Sequence, residues 1–411
     1  MNHSSKIRIL IVHNYYGSES PSGENQVVDS ELRMLRDHGH EVCIADKHSD
    51  TIRQRGISGS VIGGLSTPWN AIAQRQLRRL IEAYQPDVVH VHNSFPLWSP
   101  AVFYAIPKGV ARVMTLHNYR LFCAAGVPVR NGKICTLCLD RRGSFPALKY
   151  GCYRDSRIAT APLAVSVALH RTLRTWQRKI DRFITLTQFQ KNDMDAAGLP
   201  VERIRVKPNF YPGNPVPVQW EKRHRQIVFV GRLSREKGVD ILLDAWKQWG
   251  THAPELIVVG DGPDRASLES SARSSIGNRI SFRGLLSSEE AQRVIAESRL
   301  LVVPSTCYEG FPMVIREAFA FGTPVAASKI GALPSIVREE VNGVVFTPGD
   351  CQSLLRVLKT IWANEERLQH LSEGARREFE SFYTEDQNYR LLMEIYTEAI
   401  GMQRATSILQ P

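Results

Sequence analysis

Residues 300–317 read Leu300-Leu301-Val302-Val303-Pro304-Ser305-Thr306-Cys307-Tyr308-Glu309-Gly310-Phe311-Pro312-Met313-Val314-Ile315-Arg316-Glu317. The opening apolar run, closed by Pro304 and Ser305, predicts a buried strand that ends in a loop. Gly310 and Pro312 punctuate that loop, and Met313 to Phe321 read as a helix. Glu309 then lies at a strand's carboxyl end, and Glu317 about one turn into the next helix. In a doubly wound sheet this is the edge where ligands bind. The free N–H groups of the new helix, from Phe311 to Val314, can receive a diphosphate. Carboxylates flanking such an anion pocket can accept hydrogen bonds from sugar hydroxyls. The stretch points to a nucleotide-sugar site, although a glutamate pair at this spacing also occurs on solvated helix faces.

The same alternation runs through the chain. Apolar runs at Ile7–Val12, Val42–Ala45, Val88–Val91, Val113–Leu116 and Phe183–Leu186 form one series. Runs at Ile227–Val230, Leu256–Val259, Ile280–Phe282, Leu301–Val303, Val325–Ala327 and Val344–Phe346 form a second. Strands alternating with helical patterns predict βαβ units and parallel sheets. Between the series, Lys207 to Pro217 holds four prolines in eleven residues and reads as a linker. The expected organisation is a first α/β domain over 1–208, a linker over 209–222, a second α/β domain over 223–382, and a tail from 383 to 411. The two domains are expected to face a cleft. The tail repeats apolar residues at helical spacing (Tyr389, Leu392, Ile395, Tyr396) and is expected to cross back to the first domain.

The 411 residues show no low-complexity tract, no repeat and no apolar run long enough to span a bilayer, and the first of them lack the apolar core expected of a secretory signal. A cytoplasmic protein is expected. Its net charge of +11 is concentrated: residues 101–200 carry 16 Lys and Arg against 5 Asp and Glu, and the remainder is balanced. A local excess of this kind implies an anionic partner: nucleic acid, a phospholipid surface or a diphosphate-linked lipid. Leu169, Leu173, Trp176, Ile180 and Phe183 with Arg171, Arg174, Arg178 and Arg182 read as one amphipathic helix with a cationic face, either packed on its own sheet or peripheral on a membrane. Among seven cysteines, Cys123, Cys135, Cys138 and Cys152 have spacing compatible with a structural four-thiolate zinc site, or with incidental thiols in a loop.

Further candidates sit at strand ends. Gly231-Arg232-Leu233 leads to Lys237-Gly238, placing two cations where both can converge on a diphosphate. Gly260 and Gly284, the latter after Arg283, would let main chain approach a base or ribose, or serve as turn glycines. Gly23 opens a helix after the first strand and can admit a phosphate, or belong to a simple cap. His117 ends another strand and suits hydrogen bonding to a sugar hydroxyl or proton traffic; His90 and His92 are weaker candidates.

In combination, the Gly23 loop, Thr115-Leu116-His117-Asn118, Gly231-Arg232 with Lys237-Gly238, Gly260-Asp261-Gly262-Pro263 and Glu309 with Glu317 resemble the family 4 retaining glycosyltransferases (glycosyl transferases group 1). The resemblance implies a GT-B fold of two Rossmann-like domains and a metal-independent enzyme that moves a hexosyl group from a nucleotide-diphosphate-sugar. It implies that Arg232 and Lys237 neutralise the donor diphosphate, Glu309 holds donor sugar hydroxyls and Glu317 the ribose, and His117 lies at the reacting centre. Backbone at Arg283, Gly284 and Leu285 would contact the base; Gly310, Phe311, Met313 and Val314 would contact the distal phosphate. No cofactor is required. Two departures concern donor specificity: Ser22 stands where the family often has a first glycine, and Ile330-Gly331-Ala332-Leu333-Pro334-Ser335 replaces a Gly-Gly-x-Pro-Glu pattern.

The acceptor expected from the basic region is a polyprenyl-diphosphate-linked glycan of exopolysaccharide or lipopolysaccharide assembly. Alternatives are a sugar-nucleotide oxidoreductase or epimerase-like enzyme, disfavoured because no Gly-x-Gly-x-x-Gly follows the first strand, and a nucleic-acid binder, disfavoured because no recognition module interleaves aromatics with the basic residues. Asp193-Met194-Asp195, a triplet that could hold a metal at a strand end, falls in a predicted helix.

Overall fold

The computed structural model describes residues 6–17, 22–140, 143–273 and 279–408. Residues 1–5 of the stretch read for a leader, and Arg141 and Arg142 of the basic region, lie outside them. The chain divides into two compact units: Met1–Pro128, Thr136–Pro208 and Asn388–Pro411 form one, and Val129–Cys135 with Asn209–Gln387 the other.

The first unit is built on six parallel strands: β1 (Arg8–Tyr15), β2 (Glu41–His48), β3 (Val88–Val91), β4 (Ala111–Leu116), β5 (Arg182–Thr185) and β6 (Ile204–Val206), in the order β2-β1-β3-β4-β5-β6. The central strands are buried on both faces, as parallel strands covered by helices must be; Ile9, Leu10, Ile11 and Val12 are all fully excluded from solvent. Burial of such side chains stabilises the fold by about 1.5–3 kcal/mol each. The strand order reverses between β1 and β3, so the carboxyl ends of those two strands form the switch point.

The last helix, Glu385–Ile408, supplies Leu392, Ile395, Tyr396 and Ala399 to the interior and counts with this unit from Asn388 onward. Polar contacts also hold it: Arg182 donates to Glu398 at 2.7 Å, and Gln403 to Asp181 at 2.8 Å.

The second unit repeats the plan with β7 (His224–Val230), β8 (Glu255–Val259), β9 (Ile280–Gly284), β10 (Ser298–Val303), β11 (Val325–Ser328) and β12 (Gly343–Phe346), in the order β9-β8-β7-β10-β11-β12. Its switch point lies between β7 and β10. These are two doubly wound sheets of six parallel strands each, the architecture expected for both domains.

Two local readings need correction. The run from Leu169 to Phe183 is not one helix. The helix Arg157–Thr172 stops, Arg174 takes a left-handed φ of 52°, a short helix covers Thr175–Lys179, and Arg182 and Phe183 belong to β5. Pairing of β5 with β4 overrides the local apolar periodicity. Strand β6 was absent from the series because three residues carry too little pattern to distinguish them from a loop.

Gly260 follows β8 with φ +135°, and a Cβ there would fall on the Gly231 carbonyl oxygen. Gly260→Ala is expected to cost on the order of 3 kcal/mol, read as a lower transition midpoint in denaturant. Gly401→Ala, with open space around it, should leave the midpoint unchanged or slightly raised. Equal midpoints for the two variants would contradict this packing.

Candidate active site

In the second unit, the loops after β7 and β10 enclose a cavity of about 200 Å³ lined by Gly231, Lys237, Ser305, Glu309, Phe311, Met313 and Val314, among others. Each wall follows from the local sequence. Gly238 has φ +68°, and a Cβ there would collide with the Pro304 carbonyl; the bare glycine lets the Lys237 turn lie against the end of β10. The helix Met313–Ala320 begins after Pro312, which offers no side-chain cap. Its first N–H groups and the positive end of its dipole are therefore directed at the cavity rim, an arrangement that favours an anion.

Lys237 Nζ donates to Glu309 Oε1 at 2.6 Å, and Ser305 Oγ donates to the same oxygen at 2.6 Å. Burial pushes the Glu309 carboxyl up, but Lys237 and Ser305 more than offset it and hold it below its ordinary range. Burial likewise lowers Lys237, and Glu309 outweighs this and raises it. The pair is therefore ionised, and among the described residues no hydrogen bond occupies Glu309 Oε2. That oxygen is an open acceptor for a hydroxyl.

Other expected donor residues stand apart from this cavity. Arg232 is exposed and has no side-chain hydrogen bond or ion pair among the described residues. Glu317 is buried one turn along the helix, outside the lining; burial raises its carboxyl, partly countered by Arg316 and Gln292. Gly260 and Gly284 lie side by side at the strand ends, where Gly260 N donates to the Gly284 carbonyl at 2.8 Å. Neighbouring main chain takes up the room Gly260 provides, and Arg283 is exposed.

In the first unit, His117 follows β4 and anchors a buried network. His92 lies between His117 and the buried Glu31: its Nδ1 is 3.1 Å from His117 Nε2 and its Nε2 is 3.1 Å from Glu31 Oε1. Lys207 Nζ donates to Glu31 Oε2 at 3.0 Å and to Asn388 Oδ1 at 2.9 Å. His90 Nδ1 is 3.1 Å from Glu31 Oε1 and 2.8 Å from the Tyr396 hydroxyl.

Burial opposes ionisation of Glu31, yet Lys207 and the two histidines more than compensate and hold it well below its ordinary range. An ionised carboxylate only accepts, so His92 must carry its proton on Nε2. Neutral His92 then accepts at Nδ1, which makes His117 the donor through Nε2 and leaves His117 Nδ1 as a lone pair. Burial pushes His92 down to about 4, and burial with the His92 and His13 charges pushes His117 well below its ordinary value. His117 is thus a neutral imidazole of fixed tautomer. It lines a small cavity of about 60 Å³ with Asn93, Asn118 and Arg120.

The Gly23 loop is a capped helix start, with Ser22 Oγ accepting from Asn25 N at 3.4 Å. Next to Gly23, burial raises Glu24 to about 8.

Among the described residues, Glu31, His90 and His92 are the one group of three or more potential ligands with their atoms within 4.8 Å of one another. Lys207 already neutralises that carboxylate and protein groups engage the imidazole nitrogens, so the cluster is a hydrogen-bond network in its own right. Cys123, Cys138 and Cys152 fall in the first unit and Cys135 counts with the second. Asp193 sits in the helix Gln188–Ala196 and accepts from the Tyr119 hydroxyl at 2.8 Å.

Glu31 and Asn388 were not singled out from sequence, and Lys207 and Tyr396 were read only as the start of the linker and as part of the tail's apolar pattern. Glu31 falls on the same helix face as buried Val27, Val28 and Leu35, a charge on an apolar stripe that is the one available signal.

Two doubly wound domains of six parallel strands each are the architecture of the GT-B glycosyltransferases. The Glycosyltransferase Family 4 model matches residues 21–212 and the Glycosyl transferases group 1 model residues 214–378. The chain belongs to this family of glycosyltransferases. It is 24% identical over 407 residues to the sulfoquinovosyl transferase SQD2 of Arabidopsis thaliana, covering 94% of this chain and 73% of that protein. It is 25% identical over 336 residues to the O-antigen chain mannosyltransferase C of Escherichia coli, covering 81% and 80%. The crystal structure of Anabaena HepE in complex with UDP superposes with a TM-score of 0.63 at 17% identity, covering 95% of this chain and all of that one, a likeness of fold.

Side-chain nitrogen NMR should show His92 and His117 protonated on Nε2, with His92 titrating near 4. Because its folded value lies below the ordinary 6.5, the stability His92 contributes is complete above that pH and lost as pH falls toward 4. Titration near 6.5 would contradict the network. Glu31→Gln, which strands the buried Lys207 charge, should cost about 3–5 kcal/mol in denaturant unfolding.

Proposed function

We propose that this glycosyltransferase moves a hexosyl group from a nucleoside-diphosphate sugar, with retention at the anomeric carbon and without a divalent metal, to a polyprenyl-diphosphate-linked glycan of surface polysaccharide assembly. The observation that carries the donor reading is the cavity in which Lys237, Glu309 and the uncapped helix at Met313 converge. A diphosphate seated there meets the N–H groups of Met313 and Val314 and the Lys237 ammonium. Arg232, with no partner among the described residues, is a second cation on the same loop. Glu309 Oε2 accepts from a sugar hydroxyl, and Glu317 holds the ribose once its contacts with Arg316 and Gln292 rearrange.

Charge develops on the leaving diphosphate as the glycosidic bond breaks. Preorganised cations and amides stabilise that charge without reorganisation, which is the physical ground for metal independence. In the retaining course proposed, the departing phosphate oxygen takes the acceptor hydroxyl's proton as the acceptor oxygen bonds to the anomeric carbon on the same face. His117, neutral and with Nδ1 open, accepts a hydrogen bond from a sugar hydroxyl at the reacting centre. The network behind it holds the imidazole in one tautomer and orientation.

The bound UDP of Anabaena HepE and the O-antigen mannosyltransferase of Escherichia coli support a nucleotide donor and a polysaccharide context. The basic excess in residues 101–200 supports an anionic acceptor carrier. Among the described residues no helix is long and apolar enough to cross a membrane; the proposed place of action is the cytoplasmic face of the bilayer.

With donor and acceptor supplied, proton NMR of the first product should show the anomeric configuration of the donor, and excess EDTA should leave the rate unchanged. Inverted product, or activity abolished by EDTA and restored by manganese, would contradict the mechanism. Lys237→Ala should lower kcat by about 10²–10³ and, because it strands the Glu309 carboxylate, should also lower the melting temperature.

A further inference from the structure

The helix Gly56–Ser66 in the first unit is packed inside out. Gly59 and Gly63 are its buried positions, set against Ile52, whereas Ile57, Val61, Ile62 and Leu65 are 87%, 55%, 48% and 77% exposed. Elementary packing does the reverse, burying the branched aliphatics and exposing small residues. The glycines allow close approach to the preceding short helix Asp50–Gln54 and turn the apolar ridge outward.

This ridge does not stand alone. A Cβ on Gly64 would touch Pro162 Cγ at 3.4 Å, so the helix lies against the helix Arg157–Thr172. There Ile158 and Val165, flanking Pro162 on one stripe, are 88% and 54% exposed. Phe145, 73% exposed, lies on the short helix Phe145–Tyr150 that packs on the same element. The three helices are thus in contact through Arg157–Thr172, and each carries large apolar side chains exposed to solvent.

Its charge selects the occupant. Residues 51–81 contain no Asp or Glu, but do contain Arg55, Arg75, Arg78 and Arg79, all exposed. Residues 143–172 contain a single acid, Asp155, beside exposed Lys149, Arg154 and Arg157. A second copy docking through the same face would set these cations against themselves. An anionic lipid surface satisfies both features: aliphatic side chains enter the acyl boundary and the basic rim meets the headgroups.

We propose that the outward ridge of Gly56–Ser66, with the Ile158–Val165 stripe and Phe145, is a docking surface for anionic membrane lipid. Its apolar ridge is a separate observation from the basic excess behind the acceptor reading, although Lys149, Arg154 and Arg157 of the rim belong to that excess, and it does not depend on the transferase reaction. The geometry replaces the single cationic helix expected between Leu169 and Phe183 with a face centred elsewhere.

The test is flotation of the full chain with phosphatidylcholine vesicles with and without phosphatidylglycerol. Binding should require phosphatidylglycerol, weaken with salt, and fall at least about tenfold in Ile57→Glu/Leu65→Glu, with unchanged melting temperature. Ile158→Ser should reduce it less. Binding unaffected by the double substitution would overturn the proposal, as would no vesicle binding at low salt. A dimer in size-exclusion chromatography that Leu65→Glu dissociates, without vesicle binding, would assign the face to a second copy instead. Vesicle binding needs no donor sugar, so failure here leaves the transferase reading intact, and failure of that reading leaves this result interpretable.

Discussion

Parallel pairing of every strand in both sheets is the constraint on which the rest depends. A parallel strand cannot be joined to its neighbour by a tight turn, so each must cross over through a helix. All the loops that follow strands therefore emerge at one edge of the sheet. In the second unit this edge collects Gly231, Gly260, Gly284 and Glu309 from four separate strands, and the reversal of order between β7 and β10 opens room among them. The cavity is a consequence of topology first. Its chemistry is added by Lys237, Ser305 and the uncapped helix.

The two units handle buried charge by the same rule and to different ends. Glu309 and Lys237 neutralise each other at the rim of a cavity, with one carboxylate oxygen and the Met313 and Val314 N–H groups left open to a ligand. Glu31 and Lys207 neutralise each other in the interior, where every polar atom of the pair is turned to a protein partner. A closed buried pair of this kind does not bind a ligand; it orients what surrounds it. The consequence is a His92–His117 pair with a single neutral protonation pattern, and with it a defined lone pair at the edge of the sheet. Asn388 and Tyr396 of the last helix complete the network, so the tail is tied to the site as well as to the hydrophobic core.

Much of this was legible in the sequence, and the exceptions have physical causes. The strand of Leu300 to Val303, the loop at Gly310 and Pro312, and the helix from Met313 appear where the pattern put them, because local turn chemistry and burial agree there. Lys237 and Glu309 meet, although 72 residues separate them, because both follow strands adjacent at the switch point. Glu31 and Lys207 are 176 residues apart. One reads as a helix charge and the other as the start of a proline-rich linker, so nothing local announces their pairing. Glu317 has the expected spacing but is drawn toward Arg316 and Gln292, and spacing alone cannot report a competing partner. The Leu169–Phe183 periodicity failed because pairing of β5 with β4 outweighs a local apolar pattern. The ridge on Gly56–Ser66 went unread because its exposed aliphatics look like a core face until the buried side proves to be glycine.

The central claim is that the second unit holds a nucleoside-diphosphate sugar through its own cations and helix amides. The most direct test is a calorimetric titration of the protein with UDP-, GDP- and ADP-sugars in excess EDTA. The account predicts saturable binding of one nucleotide class that is unaffected by chelation and strongly weakened by Arg232→Ala. Absence of binding to every class, or binding that appears only when a divalent metal is restored, would contradict it.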